Sequence, residues 1–181
     1  MDKKEVDLFD KSLSLESEHE EEIVNSRDKS NALILKDDYF QVVGFILQDE
    51  LFGLDILDVE EIIKPVDFTH VPNTKKFVLG VVNLRGKIIP IVDLRLRFEF
   101  DKKEIDSETR IIIVSMNEYN VGFMVDKIEK VYYVDKKGVE PTPPNIPPTI
   151  EKYVKGVGKL DDNIVTLLNV TELLKENGGL N

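Results

Sequence analysis

Short runs of β-branched and aromatic residues, separated by turn-forming residues, recur at regular intervals from Tyr39 to Leu168. About nine or ten runs of this kind, with almost no helical periodicity between them, are typical of small all-β barrels rather than of a parallel sheet crossed by helices. The chain has 181 residues, which is enough for one ordinary domain or for two small ones that share a core. The sequence therefore predicts a mainly β protein built from about two small barrels.

Four pairs of runs are predicted to form hairpins, because polar turn residues lie between the two runs of each pair. The pairs are residues 39–47 with 51–56, 80–84 with 88–93, 110–116 with 121–125, and 153–160 with 164–168. Residues 128–134 predict one further strand.

Helical signals are few and short. Residues 57–63 fit either a short helix or a bend. Residues 94–98 predict one helical turn that Asp93 can cap. Residues 170–176 predict a final helix that Asn169 caps and that the glycines at 178 and 179 end.

The first 36 residues differ from the rest in charge and in hydrophobicity. They carry ten acidic and six basic residues, a net charge of −4 (6 − 10), which leaves −7 of the total of −11 for the remainder. Apolar residues are sparse there, so the segment cannot bury enough surface to offset the entropy of ordering. We expect residues 1–36 to form an acidic, disordered tail. The alternative is an amphipathic helix that folds on a partner, with Leu8, Leu15 and Ile23 on one face.

The net charge of −11 argues against two classes of partner. Nucleic acid is bound by cationic faces that displace its counterions, and anionic membrane surfaces attract basic segments. The first residues lack the apolar stretch of a signal peptide, and no apolar run is long enough to span a bilayer. We therefore expect a soluble, cytoplasmic protein that binds no nucleic acid and does not insert into a membrane.

Residue types that carry catalysis are scarce. The absence of cysteine excludes disulfides, thiolate metal sites and thiol nucleophiles. Neither a phosphate-binding Gly-x-x-x-x-Gly-Lys-Ser/Thr loop nor a Gly-x-Ser-x-Gly nucleophile motif occurs. His70, the one histidine beyond the first 36 residues, has no second histidine with which to bind a metal. The sequence predicts no enzymatic activity, no cofactor and no metal.

One segment, GVVNLRGKIIPIVDLR at residues 80–95, carries the strongest signal. Gly86 suits a tight turn at positive φ. Arg85 enters that turn among apolar neighbours, so its guanidinium needs a partner or solvent. On physical grounds alone the segment is either a well-formed hairpin with an exposed arginine or part of a binding site.

This segment is one of several ordered motifs. The others are FGLDILDVEEI at residues 52–62, NVGFMVD at 120–126, YVKGVG at 153–158 and IVTLLN at 164–169. Together they resemble CheW, the family of adaptors that couples chemoreceptors to the histidine kinase CheA in bacterial chemotaxis, and the resemblance runs from Tyr39 to about Leu174. CheA and CheV also contain this module, but the sequence has neither a kinase core nor a receiver domain, which favours the stand-alone adaptor.

The resemblance implies a fold of two five-stranded SH3-like β-barrels that share a hydrophobic core, with short helices and a C-terminal helix. The CheW-like domain would cover residues 37–181. Its first barrel would take roughly residues 37–80 and 153–181, its second roughly 81–140, and a Pro-rich, exposed loop residues 141–149.

The resemblance also implies partners. Members of the family bind no cofactor and catalyse no reaction. One barrel docks on the regulatory domain of CheA, and a groove between the barrels takes the helical tip of a chemoreceptor's cytoplasmic domain. Other CheW-like modules are further partners, in rings that link receptor clusters. We therefore expect a cytoplasmic protein that is recruited to membrane-associated receptor arrays.

Eight residues match family positions and are candidates for receptor or kinase binding. They are Val59, Glu61, Gly80, Asn83, Arg85, Gly86, Ile128 and Val131. We expect Arg85 and Glu61 to form an ion pair beside the receptor groove, since an arginine fork can hold a carboxylate with two hydrogen bonds. The alternative is that both are ordinary solvated charges. Gly80 and Gly86 are needed either for the backbone conformation or because a side chain there would block a partner. Val59, Ile128 and Val131 lie either in the core or in an exposed groove.

A different function, binding of single-stranded nucleic acid or of a small ligand by a barrel, is the alternative. It would need a basic groove lined with stacking aromatic side chains. The candidate aromatic residues are Phe40, Phe45, Phe52, Tyr132 and Tyr133. The net charge opposes a nucleic-acid partner.

Overall fold

Strands dominate the computed structural model, which describes residues 38–116, 119–160 and 163–175. They are β1 (Tyr39–Leu47), β2 (Glu50–Asp55), β3 (Val59–Ile63), β4 (Val78–Leu84), β5 (Lys87–Asp93), β6 (Arg110–Met116), β7 (Tyr119–Val125), β8 (Lys127–Asp135), β9 (Val139–Glu140), β10 (Val154–Lys159) and β11 (Ile164–Leu168). The helices are α1 (Leu94–Arg97), α2 (Pro148–Glu151) and α3 (Val170–Lys175), and two 3-10 turns occupy Ile56–Asp58 and Lys136–Gly138.

These strands form two sheets. The six-stranded sheet has the order β8-β1-β2-β11-β10-β9, and the five-stranded sheet has the order β3-β6-β7-β5-β4. All four predicted hairpins pair antiparallel. The predicted mainly β, SH3-like fold is confirmed, except that one sheet has six strands because the two-residue strand β9 pairs with β10.

The ambiguous segment after β2 begins as a short 3-10 helix and continues as a strand. Residues Ile56–Asp58 form a 3-10 turn, which starts because the carboxylate of Asp55 accepts a hydrogen bond from the N–H of Leu57 at 3.0 Å. The β-branched residues that follow then form β3.

The predicted division of the chain between two barrels is corrected at two places. The first barrel was predicted to take residues 37–80, but β3 and the start of β4, which lie in that range, belong to the five-stranded sheet with β5, β6 and β7. β8 and β9 were assigned to the second barrel, but they belong to the six-stranded sheet. The reason is that β3 and β8 carry apolar residues on both faces, so the sequence pattern does not show which core these strands will join.

Helix α1 confirms the predicted helical turn, and Asp93 caps it as expected. Asn169 likewise caps α3, because its side-chain oxygen accepts from the N–H of Glu172 at 3.3 Å. Helix α2 begins inside the predicted Pro-rich loop, at Pro148, because a proline suits the first position of a helix. None of the helices described is long and apolar enough to cross a membrane. The predictions for the acidic N-terminal segment, for residues 117–118 and 161–162, and for the glycines at 178 and 179 lie outside the described residues.

The two sheets bury one core between them, here called the shared core. Its buried members are Phe45, Leu47, Phe52, Leu54 and Leu168 of the six-stranded sheet, Val92, Ile112, Val114, Val121, Phe123 and Val125 of the five-stranded sheet, and Leu94, Phe98, Ile150, Tyr153, Val170 and Leu173 around them. Each sheet also has an interior of its own, centred on Ile111, Ile113 and Ile91 in one and on Val42, Val134 and Val165 in the other. Strands such as β6 are therefore buried on both faces, and their alternate residues face different cores.

Candidate partner-binding site

The β4–β5 hairpin presents Arg85 at its tip. Arg85 and Gly86 form a two-residue turn with φ values of 52° and 84°, and positive φ at both positions is the pattern of the tight turns that fit twisted hairpins. The side-chain oxygen of Asn83 accepts a hydrogen bond from the N–H of Gly86 at 3.0 Å, which holds the turn from one side. Asn83 thus has a structural partner within the hairpin.

The tip of this hairpin reaches across to the opposite edge of the sheet. Nη2 of Arg85 donates to Oε2 of Glu61 at 3.0 Å, so the predicted contact between the two residues is present. Glu61 lies on β3 and Arg85 follows β4, which are the two outermost strands of the five-stranded sheet. The side chain of Arg85 is 79% exposed and that of Glu61 is 22% exposed, so the pair adds about 0–1 kcal/mol to stability.

A second group of polar contacts lies next to this ion pair. Nζ of Lys87 lies 3.7 Å from Oε1 of Glu60, and the side-chain amide of Asn120 donates to the same carboxylate. The register of β3 against β6 shifts between Val59 and Glu61, and this irregularity falls at Glu60. Glu60, Lys87 and Asn120 were not predicted, since a β-bulge has no reliable signature in one sequence.

Gly80 is required by the backbone around it. A Cβ atom at this position would lie 2.4 Å from the carbonyl oxygen of Thr69, and the φ of 152° also disfavours other residues. Thr69 and Val81 exchange backbone hydrogen bonds of 2.8 and 2.9 Å directly beside it. At Gly86, by contrast, an added Cβ atom would meet nothing within 4 Å, so its φ alone favours glycine there.

The three apolar candidates are all half-buried, and they divide between the sheets. Val59 on the five-stranded sheet and Ile128 on the six-stranded sheet both pack against the shared core. Val131 lies on β8, where it pairs with Val43 of β1. Val59 and Ile128 thus belong to different sheets and pack against the same core.

Three large apolar side chains of the five-stranded sheet and of the turn before it are exposed. Ile88 is 64% exposed and pairs with Asn83 across the hairpin, while Tyr119 is 73% exposed and precedes Asn120. Leu57, in the 3-10 turn before β3, is 89% exposed. Large apolar side chains that are exposed in this way are candidates for contact with a partner. The exposure of these three residues was not predicted, because the same residue types form the core elsewhere in each run.

The aromatic residues of the alternative function do not form a stacking face. Phe45 and Phe52 are fully buried in the shared core, with 6.1 Å between their ring centroids. Phe40 and Tyr132 pack against the interior of the six-stranded sheet. Of the five, Tyr133 alone is exposed, so the described residues do not favour base stacking by this set.

The fold and this surface define an interaction module of two SH3-like sheets around one core. The family model of the CheW-like domain matches residues 41–178. A chemotaxis protein CheW from Helicobacter pylori is 33% identical over 170 residues, which cover 94% of this chain and 95% of the relative. One from Klebsiella aerogenes is 34% identical over 130 residues, or 72% and 78% of the two chains.

A solved structure supports the same family assignment. The scaffolding protein TtCheW from Thermoanaerobacter tengcongensis is 40% identical to this chain and superimposes with a TM-score of 0.66, over 72% of this chain and 84% of its own. The chain belongs to the CheW family of chemotaxis scaffold and adaptor proteins, as the ordered motifs predicted.

Proposed function

We propose that this protein couples chemoreceptors to the histidine kinase CheA and so serves as an adaptor in membrane-associated receptor arrays. The observation that carries the proposal is that half-buried apolar residues of both sheets pack against one core. Val59 and Ile128 come from different sheets, remain half-exposed and border one core. Apolar surface from both sheets suits the apolar stripe of a helix, which is the form of a receptor tip.

The Arg85–Glu61 pair stands at one wall of this receptor site. Because an exposed pair contributes little to stability, its use lies in what it presents to a partner. The Asn83-held turn fixes the backbone of Arg85 at positive φ, so the guanidinium projects from a defined point. The wall therefore combines a charge of fixed position with apolar surface.

The kinase takes a different surface in this proposal. Ile88 and Tyr119 lie on β5 and β7, which pair in parallel, and both are exposed at the same end of the five-stranded sheet. Exposed apolar groups at the end of a barrel suit a similar barrel of the kinase's regulatory domain. Contacts that are weak one at a time give strong overall binding in an array, where each adaptor binds several neighbours at once.

The test is binding of the full chain to two purified partners from the same cell, a receptor cytoplasmic fragment and the CheA regulatory domain. We expect wild type to bind both. Arg85→Ala and Glu61→Ala are expected to weaken receptor binding while leaving the urea midpoint almost unchanged. Lys159→Ala is the matched control, since it removes an exposed pair with Glu140 (2.6 Å) in the other sheet.

Two outcomes would count against the proposal. Folded wild-type protein that binds neither partner would reject the adaptor function. Wild-type affinity for the receptor in both Arg85→Ala and Glu61→Ala would reject the ion pair as part of the site. A chain that begins at residue 37 shows in the same assay whether the acidic N-terminal segment affects the choice of partner.

A further inference from the structure

Asp126 lies where the chain passes from one sheet to the other. It follows β7, which belongs to the five-stranded sheet, and precedes β8, which belongs to the six-stranded sheet. Its side chain is only 8% exposed, and its backbone N–H donates to the carbonyl of Ile46 at 3.2 Å. A buried carboxylate at such a junction needs specific partners, because an unpaired charge is costly to bury.

The carboxylate of Asp126 binds groups from both sheets. Its Oδ1 and Oδ2 accept from Nε and Nη2 of Arg95, which is a two-bond fork. Its Oδ2 also accepts from the backbone N–H of Gln48 at 2.8 Å. Arg95 lies on α1, directly after β5 of the five-stranded sheet, and Gln48 lies in the β1–β2 turn of the six-stranded sheet. One side chain thus connects the two sheets by hydrogen bonds.

Arg95 is itself held in place. Its side chain is 12% exposed, and its Nη1 donates to the carbonyl of Asp101 at 3.1 Å. Its backbone N–H donates to the carboxylate of Asp93 at 2.9 Å, which caps α1. Gln48, which donates to Asp126 from the other sheet, has a φ of 61°. Few residues other than glycine adopt this backbone conformation, and it directs the N–H of Gln48 toward the carboxylate.

The apolar contacts of the shared core hold the sheets together but are not directional. A bidentate arginine–carboxylate pair is directional, and a buried pair often adds little net stability because desolvation offsets its attraction. We propose that Asp126 and Arg95 are positioning residues that fix the angle between the two sheets. They thereby set the distance between the two walls of the receptor site, one with Arg85 and Val59 and the other with Ile128. This consequence rests on the proposed function.

The angle can be measured without any partner. Because the chain contains no cysteine, two nitroxide labels can be placed at exposed sites, at Lys76→Cys before β4 and at Asn163→Cys before β11. Double electron–electron resonance then gives the distribution of the distance between the two labels, which reports on the angle between the sheets. We expect Asp126→Asn to broaden and shift this distribution, and Arg95→Lys, which keeps the charge but loses the fork, to do the same to a smaller extent.

Glu140→Gln is the control, because it removes a carboxylate from an exposed pair within a single sheet and should leave the distribution as in wild type. If Asp126→Asn does not fold, Arg95→Lys decides the question. An unchanged distribution in the folded variants would overturn the inference, since a merely stabilising pair would lower the unfolding midpoint without altering the angle.

Binding of the receptor fragment gives the second measurement. We expect Asp126→Asn and Arg95→Lys to bind it severalfold more weakly than wild type, although neither residue belongs to the walls of the site. Wild-type affinity in variants with a broadened distribution would overturn the link between the angle and the receptor site. If wild type itself fails to bind, the proposed function is rejected, and the distance distributions still decide whether this pair fixes the sheets.

Discussion

The guanidinium of Arg97 lies over the ring of Tyr153, with 5.0 Å between its Cζ atom and the ring centroid. The ring of Phe77 lies 4.8 Å from the same atom, and Nη2 of Arg97 donates to the carbonyl of Leu173 at 2.6 Å. Arg97 is only 5% exposed. A single buried cation therefore joins α1, the segment before β4, the residue before β10 and the C-terminal helix α3.

Replacing Arg97 by methionine should destabilise the protein. The change keeps an apolar stem but removes the cation from between two rings and the donor from the carbonyl of Leu173. We expect the free energy of unfolding to fall by about 2 kcal/mol or more, measured by urea denaturation. Arg110→Met is the control, because Nη1 of Arg110 donates to the nearby carbonyls of Ser107 and Thr109. An equal loss in both variants would contradict a special role for Arg97.

The two glycines of the β4–β5 hairpin should respond differently to alanine. Gly80→Ala places a Cβ atom against the carbonyl of Thr69, so the backbone must shift, and we expect a loss of about 2–3 kcal/mol. Gly86→Ala meets open space and costs only the strain of positive φ, about 1–2 kcal/mol. Both losses are read from urea denaturation. A Gly80→Ala protein as stable as wild type, with only its binding lost, would show that Gly80 acts through a partner's approach instead.

Asp106 makes stability depend on pH in the acid range. The Lys103 ammonium, 2.9 Å from its carboxylate, holds the pKa of Asp106 well below its usual value, and the backbone N–H groups of Glu108 and Thr109 act in the same direction. The unfolded chain therefore binds a proton first as the pH falls. The stability that Asp106 adds is complete above about pH 5 and is lost progressively below about pH 4.

Asp106→Asn removes this titration, so its free energy of unfolding should change less than that of wild type between about pH 5 and pH 3. The measurement is urea denaturation at several pH values. Glu99→Gln supplies an exposed control that removes one carboxylate elsewhere. If Asp106→Asn and wild type lose stability in parallel over this range, the Lys103 contact does not act as described.

Asp93 should stabilise α1 by accepting hydrogen bonds at its first turn rather than through its negative charge. Its carboxylate accepts from the N–H groups of Arg95 and Leu96 at 2.9 and 3.3 Å, while burial raises the pKa of Asp93. Asp93→Ala should therefore cost about 1 kcal/mol in thermal or urea unfolding, and Asp93→Asn, which keeps the accepting oxygen, much less. Equal losses in the two variants would show that the charge is what matters.

Sequence reasoning placed the strands well because each run of apolar residues ends at turn residues. It gave the bounds of β1 and the hairpin around Arg85, and through the family resemblance it anticipated the contact with Glu61. Membership of the sheets was not predictable, since β3 and β8 carry apolar residues on both faces. Likewise, nothing local to Asp126 or Arg95 indicates that the two side chains meet, because their contact depends on how the sheets cross.

The order of strands has a consequence for how this protein reaches its native state. The five-stranded sheet uses only β3 to β7, which are continuous in the chain, whereas the six-stranded sheet must bring β2 beside β11 from the two flanking parts. One sheet is therefore nested within the sequence of the other. Closing the outer sheet first would cost the loop-closure entropy of the whole nested segment, and that cost falls once the segment is compact. We expect the inner sheet to fold first and to bring together the two ends that the outer sheet then joins.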